Sequence, residues 1–285
     1  MTLAPELCPA PSVQLDVQAV CFDVDATLVD CEASTRAGLR ELLGSEEAWA
    51  DWCILSERHY QRFLAGEVDF DTMRRARTRE FFARRGEVLG EHELTWREER
   101  RVAATRRAWR LFDDALPCLQ ALRGLGLRLA AITNAAGDYQ RAKLEAVGLR
   151  SAFDALLIAG EVGVAKPHHA IFRAACRALG VHPTQTVHVG DRLDIDAEGA
   201  RDAGLHGVWL DRSGRGMRPL GSEVSVIRRL VELPVLVTRL AVGRTASRVE
   251  MGPRGRLPSL AGASSPPGSG PGLVTGGVWC NRQHD

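Results

Sequence analysis

From Leu116 onward the chain alternates between short apolar runs and segments with helical spacing. Leu127–Ile132 (LRLAAI), Ala155–Ile158, Thr186–Val189 and Gly207–Leu210 have the length and composition of strands. Pro117–Leu125, Asp138–Val147, His168–Leu179 and Asp194–Ala203 read as helices between them, with Gly148 and Gly180 as stops. Repetition of this kind pairs strands in parallel through right-handed crossovers, so a layered α/β domain is expected. An earlier run, Val17–Phe22 (VQAVCF), adds another strand. Runs such as AVCF and LAAI lack polar alternation, as a sheet covered on both faces requires. The expected fold class is α/β, a three-layer parallel sheet.

A second feature interrupts this order. Residues 37–107 carry no strand signal and keep helical spacing at Leu39, Leu42 and Leu43, at Trp49, Trp52 and Cys53, and at Phe63, Phe81 and Phe82. Breaks fall near Gly44, Gly66 and Gly86 to Gly90. The stretch is too long for a loop between neighbouring strands and reads as an inserted helical domain. The α/β core then comprises residues 15–36 and 108–242, with Val224–Leu240 as its last ordered piece and a helix opening near Pro234. Residues 1–14 read as a flexible leader. Residues 243–285 are rich in Gly, Pro, Ser and Arg, as in SSPPGSGPG, and are expected to be disordered.

Charge and cysteine usage exclude several classes. Net charge is +1, so no global field favours nucleic acid or an anionic membrane. Arginines between Arg74 and Arg110 alternate with Glu80, Glu87, Glu91, Glu93, Glu98 and Glu99, which reads as a solvated helical surface. The seven cysteines contain no Cys-x-x-Cys pair, against a disulfide framework or a structural zinc site. No signal peptide or membrane span is visible, so the cytoplasm is the expected compartment.

Four clusters of reactive residues follow strands, and the carboxyl ends of parallel strands share one edge of the sheet, where ligands bind. Asp23-Val24-Asp25-Ala26-Thr27 follows VCF and offers two carboxylates, one to attack and one to move protons; alone it could be a capped turn. Thr133-Asn134 follows LAAI and offers hydrogen-bond donors; alone it could be a helix cap. Lys166, before Pro167, could balance carboxylates or hold an anion, or lie on the surface before a helix. Gly190-Asp191-Arg192-Leu193-Asp194-Ile195-Asp196 follows VHV and offers hard oxygens for Mg²⁺, or a helix N-cap.

In this order, DVDAT, the Thr of AITN, the Lys of AKP and GDRLDID, the sequence resembles the haloacid dehalogenase-like (HAD) hydrolases, over roughly Ala19 to Leu240. The resemblance implies a Rossmann-like core with an inserted helical cap and Mg²⁺-dependent hydrolysis of a small-molecule phosphate ester. It implies Asp23 as the nucleophile that becomes phosphorylated and Asp25 as acid and base. Thr133, the Asn134 backbone and Lys166 would bind the phosphoryl oxygens. Asp23, the carbonyl of Asp25 and Asp191 would hold the metal, with Asp196 orienting that shell and Lys166. Arg36, Arg58, His59, Tyr60 and Arg62 are candidates for the inner face of the cap. One departure stands out: the family usually has Gly after the second Asp, where this chain has Ala26, which fits easily only if its φ is negative.

Rival readings are a phosphomutase, a 2-haloacid dehalogenase, a response-regulator receiver and a decayed member that only binds a partner. Asp25 and Asp191 argue against dehalogenation, and the long insertion after Thr27 argues against a receiver.

Overall fold

The computed structural model describes residues 17–214, 216 and 223–249. The expected leader and residues 250–285 of the expected tail lie outside the described residues. Six parallel strands form one sheet: β1 (Ala19–Phe22), β2 (Arg128–Thr133), β3 (Ala155–Ile158), β4 (Thr186–Gly190), β5 (His206–Leu210) and β6 (Ser225–Ile227). Their order across the sheet is β3-β2-β1-β4-β5-β6. The chain leaves β1 toward β2 on one side, then returns from β3 to β4 on the other. The carboxyl ends of β1, β2 and β4 therefore flank a topological switch point, the position where open α/β sheets bind ligands.

Both faces of the sheet are buried, with a period of two. Val20, Phe22, Leu129, Ala131, Val187 and Val189 point to one face. There they meet α5 (Ala115–Gly124) and α10 (Leu233–Val249) through Cys118, Leu119, Leu122, Leu233 and Val237. Ala19, Cys21, Ala130 and Ile132 point to the other, against Ile171, Phe172 and Ala175 of α8 (His169–Leu179). Each fully buried large apolar side chain contributes about 1.5–3 kcal/mol, so these faces fix the register of every central strand.

Four helices lie between β1 and α5: α1 (Cys31–Leu43), α2 (Trp49–Leu64), α3 (Phe70–Ala83) and α4 (Glu91–Arg107). They form the helical cap, with its own apolar centre of Leu39, Trp49, Trp52, Leu55, Phe81 and Phe82. Asp30 caps α1 by accepting from Ala33 N at 3.0 Å, and Asp69 caps α3 by accepting from Thr72 N at 2.7 Å. Gly44 closes α1 at φ 71°. The two chains entering and leaving the cap are tied together: Val29 bridges Leu111, Asp30 N donates to Arg110 O at 2.9 Å, and Phe112 N donates to Leu28 O at 2.9 Å.

Among the elements that depart from the sequence reading are β6 and α10. The strand β6 was not expected: Ser-Val-Ile is too short to show a period, and tertiary contacts hold it. Asp211 N donates to Ile227 O, and the buried Asp114 carboxylate accepts from Leu230 N at 2.9 Å and from both ends of the Arg212 fork at 3.0 and 2.9 Å. The helix α10 runs on to Val249, past the expected start of the tail at residue 243. No described helix is long and apolar enough to cross a membrane. Asp114→Ala strands Arg212 and the Leu230 amide at once, and should lower unfolding stability by about 2–3 kcal/mol. Equilibrium urea denaturation measures this, and a change below about 0.5 kcal/mol would contradict the anchoring role.

Candidate active site

The loop after β1 delivers two carboxylates. Asp23 is buried, and its Oδ1 accepts from Lys166 Nζ at 2.6 Å while Oδ2 accepts from Thr27 Oγ1 at 2.9 Å. Thr27 Oγ1 in turn accepts from Asp191 N at 3.1 Å, which ties the first loop to the fourth. Asp25 is ion-paired to Lys143 of α6 (Gly137–Ala146) and accepts from Cys31 Sγ at 2.9 Å. The intervening turn holds Ala26 at φ 63°, with its N–H bonded to Val29 O at 2.9 Å. The condition under which Ala26 would fit easily, a negative φ, is therefore not met. The left-handed conformation costs a non-glycine residue about 1–2 kcal/mol, and the turn's hydrogen bonds impose it.

Lys166 lies between α7 (Ala159–Val162) and α8 and is 2% exposed. Its ammonium reaches Asp23, the Ile132 carbonyl at 2.8 Å and Asp196 at 2.7 Å. The Asn134 side chain clamps its backbone, donating to Lys166 O and accepting from Lys166 N, both at 2.8 Å. Asn134 thereby positions the lysine as well as lining the site. Asp191 directly follows β4, and Asp196 sits in a π-helical turn, Leu193–Glu198, ahead of α9 (Gly199–Asp202). A Cβ at Gly190 would lie 2.3 Å from Asp196 Cγ, so only glycine lets the strand end and this carboxylate meet.

Every expected site residue therefore converges: Asp23, Asp25, Thr133, Asn134, Lys166, Asp191 and Asp196 all line one pocket of about 30 Å³. Tyr60, Arg192 and Ile195 complete its wall. Carboxylate oxygens of Asp23, Asp191 and Asp196 lie within 4.8 Å of one another.

The charges are unbalanced in a way that suits a cation. Burial pushes Asp23 up to about 7; Lys166 pulls against this, and Asp196 and Asp25 add to the rise. Burial, then Asp23 and Asp196, push Asp191 well above the usual carboxylate range. For Asp196 burial acts upward too, but Lys166 and His188 outweigh it and hold the group low. Burial is likewise outweighed at Asp25 by Lys143 and Cys31. Two buried carboxylates and the half-buried Asp191 thus face one ammonium, and their hard oxygens are the donors that Mg²⁺ prefers. The residues fit a divalent cation.

The family model of the haloacid dehalogenase-like hydrolases matches residues 17–204, the span that carries all four loops. The chain belongs to this family. It is 32% identical over 245 residues to the N-acylneuraminate-9-phosphatase of Mus musculus, covering 78% of this chain and 94% of that one. It is 43% identical over 128 residues to a phosphoserine phosphatase of Thermus thermophilus, covering 45% of this chain and only half of that protein's length. A magnesium-bound structure from Bacillus subtilis, described as the HAD-hydrolase YfnB, shares the fold with a TM-score of 0.68 at 22% identity, over 78% of this chain and 98% of that one.

In this HAD hydrolase the cap contributes differently from the sequence expectation. Of the inner-face candidates, Tyr60 alone reaches the site. Arg36 pairs with Glu32 and Glu46, Arg58 and His59 pair with Glu80, and Arg62 pairs with Glu67. Several arginines expected on a solvated surface instead turn inward: Arg74, Arg77 and Arg101 line a cavity between cap and core. Neither they nor Lys143 follow a strand, so the reasoning that found the loops had no purchase on them. A different signal was available for Arg77. It lies four residues from both Met73 and Phe81, on the buried face of α3.

Proposed function

We propose that this HAD hydrolase cleaves a small-molecule phosphate monoester through an aspartyl-phosphate on Asp23, with Mg²⁺ as its cofactor. The observation that carries the reading is the buried contact of Asp23 with Lys166 beside Asp191 and Asp196, in a pocket with a second, separately held carboxylate, Asp25. The phosphatases named above support phosphate as the reacting group. So does Asp25, since displacement of halide needs no second acid of this kind.

The chemistry follows from the positions. An Asp23 carboxylate oxygen attacks phosphorus in line with the departing ester oxygen, forming the acyl phosphate as the P–O ester bond breaks. Lys166 and the loop at Thr133 and Asn134 hold the phosphoryl oxygens as charge shifts across them. Asp25 passes a proton brought by the substrate's phosphate on to the leaving oxygen, then takes one from the water that attacks the acyl phosphate and frees Asp23. Its pairing with Lys143 favours the ionised form, which is the form the second half requires. The proton for the first half therefore arrives with the substrate, whose phosphate has an ordinary second pKa of about 6. Held by the Asp23 and Asp191 carboxylates and the Asp25 backbone carbonyl, Mg²⁺ would neutralise charge on the phosphoryl oxygens.

The test is hydrolysis of 4-nitrophenyl phosphate with Mg²⁺, after EDTA, and after Mg²⁺ is restored. Turnover should vanish with EDTA and return with the metal. Absence of turnover together with failure to bind beryllium fluoride, a phosphoryl mimic, would refute the reading.

A further inference from the structure

A cavity of about 130 Å³ extends from the phosphate pocket into the cap, and the two share Asp25, Tyr60 and Asn134. A leaving group attached to a phosphoryl group at Asp23 has this space to enter. Its walls combine aromatic rings, among them Trp52, Trp109 and Tyr139, with four cations: Arg74, Arg77, Arg101 and Lys143.

Three of these cations have carboxylate partners. Lys143 pairs with Asp25. Arg101 holds Glu98 through two hydrogen bonds of 3.0 and 2.9 Å. Arg74 meets the exposed Asp71 at 3.0 Å. Arg77 has no carboxylate partner among the described residues. Its guanidinium lies 4.3 Å from the Trp52 ring centre and makes one long hydrogen bond, from Nη1 to Ser56 Oγ at 3.5 Å. The Nε atoms of Arg74 and Arg77 are both buried without a hydrogen-bond partner. Burial, then Arg101, lower the Arg77 pKa to about 9, as expected for a cation short of countercharge.

Burying a guanidinium without an anion is costly, and its planar fork matches a carboxylate through two parallel hydrogen bonds. Aromatic walls beside it suit the apolar face of the same molecule. We infer that the substrate is a phosphate monoester whose leaving group carries a carboxylate, bound in the cap by Arg77 with Arg74 beside it. The inference rests on the phosphate-ester reading above and adds the class of leaving group.

Matched ester pairs test it: 3-phosphoglycerate against glycerol 3-phosphate, and 4-carboxyphenyl phosphate against 4-carbamoylphenyl phosphate. The wild type should prefer the carboxylate of at least one pair by about 10- to 100-fold in kcat/KM, the scale of a charge-assisted hydrogen bond. Arg77→Met should remove that preference by lowering kcat/KM far more on the carboxylate member of the pair than on the neutral one. Arg77→Lys should restore part of it. A second readout needs no turnover. By calorimetry, 4-hydroxybenzoate should bind the wild type more tightly than 4-hydroxybenzamide, and Arg77→Met should erase the difference. Equal handling of both members of each pair, or equal losses on both in Arg77→Met, overturns the inference. If no ester turns over and beryllium fluoride does not bind, the phosphatase reading fails, and the calorimetric comparison still decides whether Arg77 binds a carboxylate.

Discussion

Asp23→Asn should reduce turnover by at least about 10⁴-fold and leave the protein folded, because it removes an attacking oxygen and little else. The amide is nearly isosteric with the carboxylate. It keeps an oxygen that can accept from Lys166, and Lys166 keeps Asp196 and the Ile132 carbonyl. It also removes one of three carboxylates crowded at the site. Unfolding stability should therefore change by less than about 1 kcal/mol. Steady-state kinetics and a urea melt on the same sample make the comparison. A variant that retained a tenth of wild-type activity would take the nucleophilic role from Asp23.

Lys166→Met should injure both activity and stability. The ammonium is the cation shared by Asp23 and Asp196, two carboxylates that are almost wholly buried. Removing one partner of a buried ion pair costs about 3–5 kcal/mol, because the remaining charge is stranded. Loss of the phosphoryl contact should cut kcat/KM by about 10³-fold. The stability loss should also depend on pH in a particular direction. In the wild type, Lys166 holds Asp196 below its unfolded value, so that group stabilises the fold at neutral pH. Without Lys166, burial raises Asp196, and a carboxylate raised by folding loses stability as pH climbs above its unfolded pKa of about 4. The deficit relative to wild type should be larger at pH 8 than at pH 5. A deficit that did not change with pH would mean that the lysine acts mainly through packing.

How far the molecule was legible in its sequence differs between core and cap. The central strands are mostly apolar runs without polar alternation, as a sheet buried on both faces requires. Each was placed to within about two residues, the ordinary uncertainty of element ends. The loop residues were legible for the same reason: Asp23, Thr133 and Asp191 directly follow or end strands, and topology gathers strand ends. The Ala26 conformation was not legible, since its positive φ comes from turn hydrogen bonds that composition does not reveal. The cap's inward arginines were hidden in a run of Arg and Glu that mostly forms solvated pairs, such as Arg75 with Glu91 and Arg100 with Glu41. Helix packing selects which members of that run face the cavity. A charged residue in step with buried apolar neighbours, as at Met73, Arg77 and Phe81, is the trace it leaves.

The tie between Val29 and Leu111 has a consequence for how such a chain can change over evolutionary time. The ends of the helical insertion are joined by hydrogen bonds that belong to neither the insertion's interior nor the sheet. Closing a flexible excursion of this kind costs entropy that grows only with the logarithm of its length, about 0.6 kcal/mol for each doubling. With its ends pinned, the excursion can gain, lose or exchange helices without asking the strands to re-register. The reacting loops and the surface that selects their substrate are thus free to diverge at separate rates within one polypeptide.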